Sequence, residues 1–251
     1  MNEFYKTGIE IFRNGFDNVK LLDKISENLS QIKSLDLFNS TEKYPINEDV
    51  SNQFISNDII KSIIEVLCPS GYKKMAEWFL NKKSFLPTHR DAVFFPYHQK
   101  NIKENIKYKI CNGELFSRIY FNIMVFLTDE YEGYEYYYVP KTHILDEKEY
   151  KKYFTYGVTY KDNFPIFKSV DDTNDILSNT GCTEEEYRLY NSLVPENLKN
   201  LIFPKIRKGD IIIQSGSLIH GSLGEVGQNS LNKYYRKSYI LRICSNEYFN
   251  L

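Results

Sequence analysis

Histidine is scarce in this chain, four in 251 residues, yet two of the four fall within the short stretch LPTHRDAVFFPYH, Leu86 to His98. His89 and Asp91 stand two apart there. On a strand, residues i and i+2 point to one face, so the pair would present an imidazole and a carboxylate side by side, with Arg90 turned away. One further histidine would complete a two-histidine, one-carboxylate set. Such a set caps one face of an octahedral metal ion and leaves the opposite positions open to exchangeable ligands.

Two histidines compete for the third place. His143 sits in VPKTHILDEK and His220 in GDIIIQSGSLIHGSLGE. The second setting is the more informative. A Gly-Asp turn leads into an apolar strand, and glycine and serine surround the histidine, which allows close approach of backbone or ligand. Downstream, YYRKSYILRI places Arg236 at the start of another strand. A guanidinium fork binds both oxygens of a carboxylate at once. Each piece alone has an ordinary reading: H-x-D as a polar pair, His220 as a histidine satisfied in a loop, Arg236 as a surface ion-pair partner. Their order along the chain is what joins them.

Positioning these groups is the task of the strands around them. From Trp78 onward the sequence is strand-like. FSRIYFNIMVFLTD reads as a long buried strand, and YEYYYVP, DIIIQSG and SYILRIC as further strands, each bounded by Gly, Pro, Asp or Asn. Before Trp78 the texture is mostly helical. Val19, Leu22, Ile25, Leu29, Ile32 and Leu35 form an amphipathic stripe, and SNDIIKSIIEVLC repeats the pattern with Ser56 or Asn57 as N-cap. A polar stretch near 146–203 reads as an insertion, with Thr183 and Glu186 as the capping box of a helix inside it. These readings give a single domain over 1–251. Residues 1–77 form a mostly helical N-terminal part, and 78–251 a strand-rich sandwich or barrel core.

Composition narrows the class. Lys+Arg 32 against Asp+Glu 33 gives a net charge of −1, without the basic excess of a nucleic-acid binder. Interleaved acids make the local lysine clusters solvated faces. No apolar run approaches the ~18–20 residues of a membrane span, and MNEFYKTGIEIFRNG lacks the apolar core of a signal peptide. Cys68, Cys111, Cys182 and Cys244 show no C-x-x-C pairing. The expectation is a reducing, cytoplasmic protein. Aromatics at 16% suit strands and a filled core; Phe94, Phe95 and Tyr97 would serve there or line a pocket.

THRD, KGDIIIQSGSLIHGSLGE and NSLNKYYRKSYILRI together resemble the phytanoyl-CoA dioxygenase (PhyH-like) family of Fe(II)/2-oxoglutarate-dependent oxygenases, over about Trp78 to Ile243. The resemblance implies a mainly β fold with flanking helices: a double-stranded β-helix (jelly-roll, cupin-like) core preceded by N-terminal helices. It implies His89, Asp91 and His220 as the iron ligands, Arg236 on the distal carboxylate of 2-oxoglutarate, and Ser222 assisting. It further implies a dioxygenase that uses O2 to hydroxylate an unactivated C–H bond of a small molecule and releases succinate and CO2. EGYEYYYVPKTH resembles a family segment but lacks its Gly-Ser, which makes His143 structural. The Asp91–His220 and His220–Arg236 spacings are both longer than the family's, and the second leaves Arg242, on the same strand face six residues on, as a reserve for the carboxylate role. Two other classes stay open: a cupin-like metalloprotein using the same ligands without 2-oxoglutarate, and a non-enzymatic jelly-roll binding module. A missing carboxylate clamp would favour the first, and ligands too far apart to share an ion the second. Substrate identity and oligomeric state are not legible.

Overall fold

The computed structural model describes residues 1–29, 36–38, 41–82, 86–91, 119–130, 135–145, 158–161, 164–167, 202–222 and 236–247. For 36–38, 41–42, 86–89, 158–161 and 164–167 it describes the backbone alone.

The chain is mainly antiparallel β with few helices. In order it runs α1 (Asn2–Thr7), β1 (Ile9–Phe12), α2 (Val19–Leu29), β2 (Asp36–Phe38), β3 (Thr41–Tyr44), α3 (Glu48–Ile55), α4 (Asp58–Leu67), β4 (Tyr72–Lys82) and β5 (Leu86–His89). Then follow β6 (Tyr120–Phe126), β7 (Tyr136–Tyr138), β8 (Val158–Lys161), β9 (Phe164–Phe167), β10 (Ile211–Ser215), β11 (His220–Ser222) and β12 (Arg236–Ser245). A large seven-stranded sheet has the order β1-β10-β6-β12-β4-β3-β2; a three-stranded sheet has the order β5-β11-β7, and β8 pairs with β9. From β4 to β7, and again from β10 to β12, successive strands alternate between the large and the small sheet.

The first 77 residues thus carry the described α-helices, but also β1, β2, β3 and the opening of β4. Strand texture begins at Tyr72 rather than Trp78. The three early strands are only three or four residues long, too short for alternation to stand out.

The period-2 pattern assigns the two faces of the large sheet. Phe121, Ile123 and Val125 of β6, Ile211 and Ile213 of β10, and Tyr239, Leu241 and Ile243 of β12 form one apolar cluster with the helices. The helices contribute Phe4, Leu22, Ile25, Leu29, Phe54, Ile60, Ile63 and Leu67 to it. Phe54 stacks on Tyr239 with ring centroids 4.1 Å apart. In α2 the stripe faces inward at Leu22, Ile25 and Leu29, whereas Val19 at the first turn is 46% exposed; Ile32 and Leu35 lie outside the described residues. The Asn57 side chain caps α4, accepting from the Ile59 and Ile60 N–H groups at 3.1 and 3.2 Å.

The alternate residues Met124, Phe126, Ile212 and Ile240 pack with Tyr136 and Tyr138 of β7, so the small sheet covers the opposite face. The chain crosses from one sheet to the other in the turn between β10 and β11. A Cβ on Gly216 there would lie 2.2 Å from the Tyr120 ring, so only glycine permits the crossing. On the small-sheet side Thr142 ties the ends together, donating to the Val139 carbonyl at 2.7 Å and accepting from the Ile219 N–H at 3.0 Å.

Candidate functional site

The face of the large sheet turned toward the small one is not uniformly apolar. Ladder register sets Gln214 of β10 opposite Asn122 of β6, and Asn122 opposite Arg242 of β12. Three polar side chains therefore stand in one row across three adjacent strands, beside the apolar row Ile212, Met124 and Ile240. They converge on Asp91, which is 3% exposed. The Arg242 guanidinium donates to Asp91 Oδ1, the Asn122 amide to Oδ2, and the Gln214 amide to Oδ2 at 3.2 Å. The Arg242 guanidinium also lies over the Trp78 ring, 5.3 Å from its centroid.

His220 opens β11 and is 6% exposed. Its Nε2 lies 3.6 Å from Asp91 Oδ2. The ring's orientation and tautomer are fixed behind it. Nδ1 lies 2.9 Å from the Leu218 carbonyl oxygen, which can only accept, so Nδ1 carries the proton and Nε2 the lone pair. The Gln214 amide nitrogen lies 3.1 Å from Nδ1 and 3.3 Å from Nε2; with Nδ1 protonated, Nε2 is its acceptor. Tyr136 holds that amide from the other side, its hydroxyl donating to Gln214 Oε1 at 2.5 Å. Burial pushes the His220 pKa down, with the Asp91 charge opposing, which favours a neutral imidazole.

A second polar cluster occupies the other end of the same face. Arg236 opens β12 opposite Lys82, the last residue of β4. Arg236 Nη2 donates to Ser222 Oγ at 3.3 Å, and Lys82 Nζ donates to the same oxygen. Arg236 Nη1 pairs with Glu130 Oε1 at 3.3 Å. Glu130 is otherwise occupied by backbone, accepting from the Tyr136 and Ile206 N–H groups at 2.7 and 2.8 Å. The guanidinium is flanked by the Phe126 and Tyr136 rings, 5.6 and 5.7 Å away.

The residues singled out by sequence therefore fall into two groups. Asp91 and His220 meet, and Arg236 and Ser222 meet. Arg242 is not at the Arg236 cluster: it lies six residues further along β12 with its guanidinium on Asp91, and the two clusters adjoin through Tyr136, whose ring lies 5.9 Å from the His220 ring and 5.7 Å from the Arg236 guanidinium carbon. His89 is described through its backbone, which lies opposite His220 in the β5–β11 ladder. The expectation that His89 and Asp91 share one strand is corrected: β5 ends at His89, and Asp91 sits past its end. Asp91 is drawn instead to donors on three strands of the other sheet. His143 lies away from both clusters in the 3₁₀ turn Thr142–Ile144. Its Nε2 is 3.2 Å from the Tyr5 carbonyl oxygen and its ring packs on Gly8. Phe94, Phe95, Tyr97, Thr183 and Glu186 lie outside the described residues.

Sequence reasoning missed Asn122, Gln214, Tyr136, Lys82 and Glu130. The available signal was an amide inside each of two apolar strands, FNIMVF and DIIIQS, where a buried polar side chain needs a partner.

No protein-family model matches the chain, and no curated protein matches it by sequence. Solved structures do match in fold. HygX from Streptomyces hygroscopicus, with nickel, 2-oxoglutarate and hygromycin B bound, is 15% identical, with 96% of this chain and 84% of that chain covered and a TM-score of 0.57. The epimerase SnoN, in complex with Fe3+, alpha ketoglutarate and nogalamycin RO, is 12% identical, covering 97% and 81% with a TM-score of 0.59. HygX with iron bound gives 15% and 0.55. SnoN is described as a non-heme alpha ketoglutarate dependent epimerase from nogalamycin biosynthesis. The chain shares the fold of these iron- and 2-oxoglutarate-binding proteins.

Asp91 Oδ2 and His220 Nε2 both lie within reach of the Gln214 amide nitrogen, so two donor types suited to a divalent cation are turned toward one place. Among the described residues no three His, Cys, Asp or Glu side chains converge; a third donor has to come from outside the described side chains.

Proposed function

We propose that the protein is an Fe(II)- and 2-oxoglutarate-dependent dioxygenase, similar to the phytanoyl-CoA dioxygenases, that hydroxylates a C–H bond of a small molecule. The observation that carries this reading is the pairing of two clusters on one sheet face: a carboxylate and a lone-pair imidazole at one end, an arginine and a hydroxyl at the other. The alternation of strands between two sheets supports a double-stranded β-helix core, and 146–203 is read as an insertion in one domain spanning 1–251. No described helix is long and apolar enough to cross a membrane, and a cytoplasmic setting is part of the same proposal.

On this reading His89, Asp91 and His220 hold the metal. Arg242 and Asn122 fix the Asp91 carboxylate, and the Leu218 carbonyl fixes the His220 tautomer; such outer partners tune a metal site. Arg236, with Ser222, binds the distal carboxylate of 2-oxoglutarate. When bound, iron with 2-oxoglutarate and O2 supplies the oxidation of the C–H bond, releasing succinate and CO2. The residues' own work is to orient both partners and exclude water. The HygX and SnoN complexes contain small molecules, hygromycin B and nogalamycin RO, which supports a small-molecule substrate. SnoN being an epimerase favours a second outcome at the same centre, in which the substrate carbon is inverted rather than hydroxylated.

The test is succinate production. Protein supplied with Fe(II), 2-oxoglutarate and O2 should form succinate even without its substrate, slowly, and His220→Ala should form none. Iron-loaded wild-type protein that forms no succinate would remove 2-oxoglutarate from the account and leave the cupin-like metalloprotein.

A further inference from the structure

Lys82 has no role in the arrangement proposed above, and its surroundings are unusual. It is 6% exposed, at the end of a strand whose register sets it against Arg236 on one side and Thr41 on the other. Its Nζ donates to the Ser222 hydroxyl, the same oxygen that accepts from Arg236. Among the described residues Lys82 makes no ion pair. Glu130, the acid whose charge bears on it, is already engaged by Arg236 and two backbone N–H groups.

Among the described residues the charges of this cluster do not balance: Arg236 and Lys82 bring two cationic groups, while Glu130 brings one carboxylate. Ser222 is neutral, and Tyr136 is a phenol whose burial pushes its pKa up and keeps it neutral. With both lone pairs of Ser222 Oγ engaged, the hydroxyl proton remains available to donate. A buried cation without a counter-charge is costly, and it either finds an anion or gives up its proton. Burial lowers the Lys82 pKa well below its ordinary value; Arg236 lowers it further, and Glu130 opposes. Arg236 cannot relieve the imbalance, because a guanidinium keeps its proton.

We propose that Lys82 is the second cation of the Arg236 pocket, and that it takes up a proton when a carboxylate enters. The proposal rests on the reading of this pocket as the seat of the distal carboxylate of 2-oxoglutarate. In the empty pocket one proton is given up and Arg236 stands against Glu130. An entering carboxylate restores the missing negative charge, and Lys82 becomes the ammonium that pairs with it. Each binding event then draws up to one proton from solvent: Lys82–NH2 plus H+ gives Lys82–NH3+, with no other bond made or broken. Affinity for the dicarboxylate therefore falls as pH rises. It does so because the proton that must accompany the ligand becomes scarcer.

Titration calorimetry on the full chain tests this, with 2-oxoglutarate as ligand, at pH 8, in two buffers of different ionisation enthalpy. Wild-type protein should show proton uptake between zero and one per site. Lys82→Met should show none and bind roughly ten-fold or more weakly. Lys82→Arg, which holds its charge at all working pH, should recover part of the affinity without the uptake. 2-Oxovalerate, which lacks the distal carboxylate, should bind wild type and Lys82→Met alike and draw no proton. Equal affinity and equal uptake in wild type and Lys82→Met would overturn the proposal while leaving the oxygenase reading intact. If 2-oxoglutarate does not bind but succinate does, with uptake lost in Lys82→Met, the pocket stands and the oxygenase reading falls. If no dicarboxylate binds, both fall.

Discussion

The two faces of the large sheet are built from the same strands, one residue out of step, and they are under different physical demands. On the helix-covered face the residues of β6, β10 and β12 that join the core are aliphatic or aromatic, with a single hydroxyl among them, that of Tyr239 donating to Glu77, and their main contribution is burial. On the face toward the small sheet, polar side chains take whole rows: Gln214, Asn122 and Arg242 in one, Arg236 and Lys82 in another. Buried polar groups cost stability unless each finds a partner. One face is therefore arranged to hold the fold, and the other to hold charge in place. The second does so at two separate points, one centred on an anion and one on cations.

Substitutions can pull this contrast apart. The largest loss of stability should come from the apolar face. Phe54→Ala removes a ring that is fully buried and stacked between Phe16 and Tyr239, at a cost of about 3–5 kcal/mol. Urea denaturation should show that loss, while the affinity of the folded protein for metal and 2-oxoglutarate stays unchanged. Arg242→Met strands a buried carboxylate, and about 3 kcal/mol should be lost. Unlike Phe54→Ala, it should also weaken metal binding, by roughly 10–100-fold, the range for outer partners of metal ligands. Equal metal affinity in Arg242→Met and wild type would remove the orienting role.

Arg236→Met should destabilise less, about 1–2 kcal/mol, because Glu130 keeps its two backbone donors. Its effect should appear in 2-oxoglutarate binding, about 2–5 kcal/mol, with metal affinity untouched. The smallest effect concerns Lys82. A lysine whose folded pKa is lowered binds fewer protons folded than unfolded, so its contribution to stability rises as pH climbs toward the ordinary lysine value and is lost as pH falls. Unfolding free energies of the ligand-free protein should climb from pH 7 to 10 more steeply in wild type than in Lys82→Met. Parallel curves would mean that Lys82 stays charged in the empty pocket.

Much of the apolar architecture was legible. The stripe Leu22, Ile25, Leu29 follows from periodicity, the run FNIMVF from its aromatic and β-branched make-up, and capping chemistry narrowed the cap of α4 to Ser56 or Asn57, of which the structure uses Asn57. The polar site was legible only as a set of names. Sequence spacing placed His89 and Asp91 on one strand, but the strand stops at His89, because the donors that capture Asp91 lie on β6, β10 and β12 of the other sheet. Such pairings across sheets are set by register over long separations in sequence. Arg242 read as a spare for Arg236 because both point to the same face; only the distance along β12 separates them. Lys82 and Asn122 went unnoticed in the sequence, because each is a polar group whose partner comes from a distant segment.

The account turns on one face of one sheet holding both Fe(II) and 2-oxoglutarate. Anaerobic titration of the protein with Fe(II) and then 2-oxoglutarate reads that directly, through the visible metal-to-ligand charge-transfer band. The account predicts a band in wild type that is absent in His220→Ala and that needs far more 2-oxoglutarate to appear in Arg236→Met. Iron bound without any band, or a band that His220→Ala leaves intact, would contradict it.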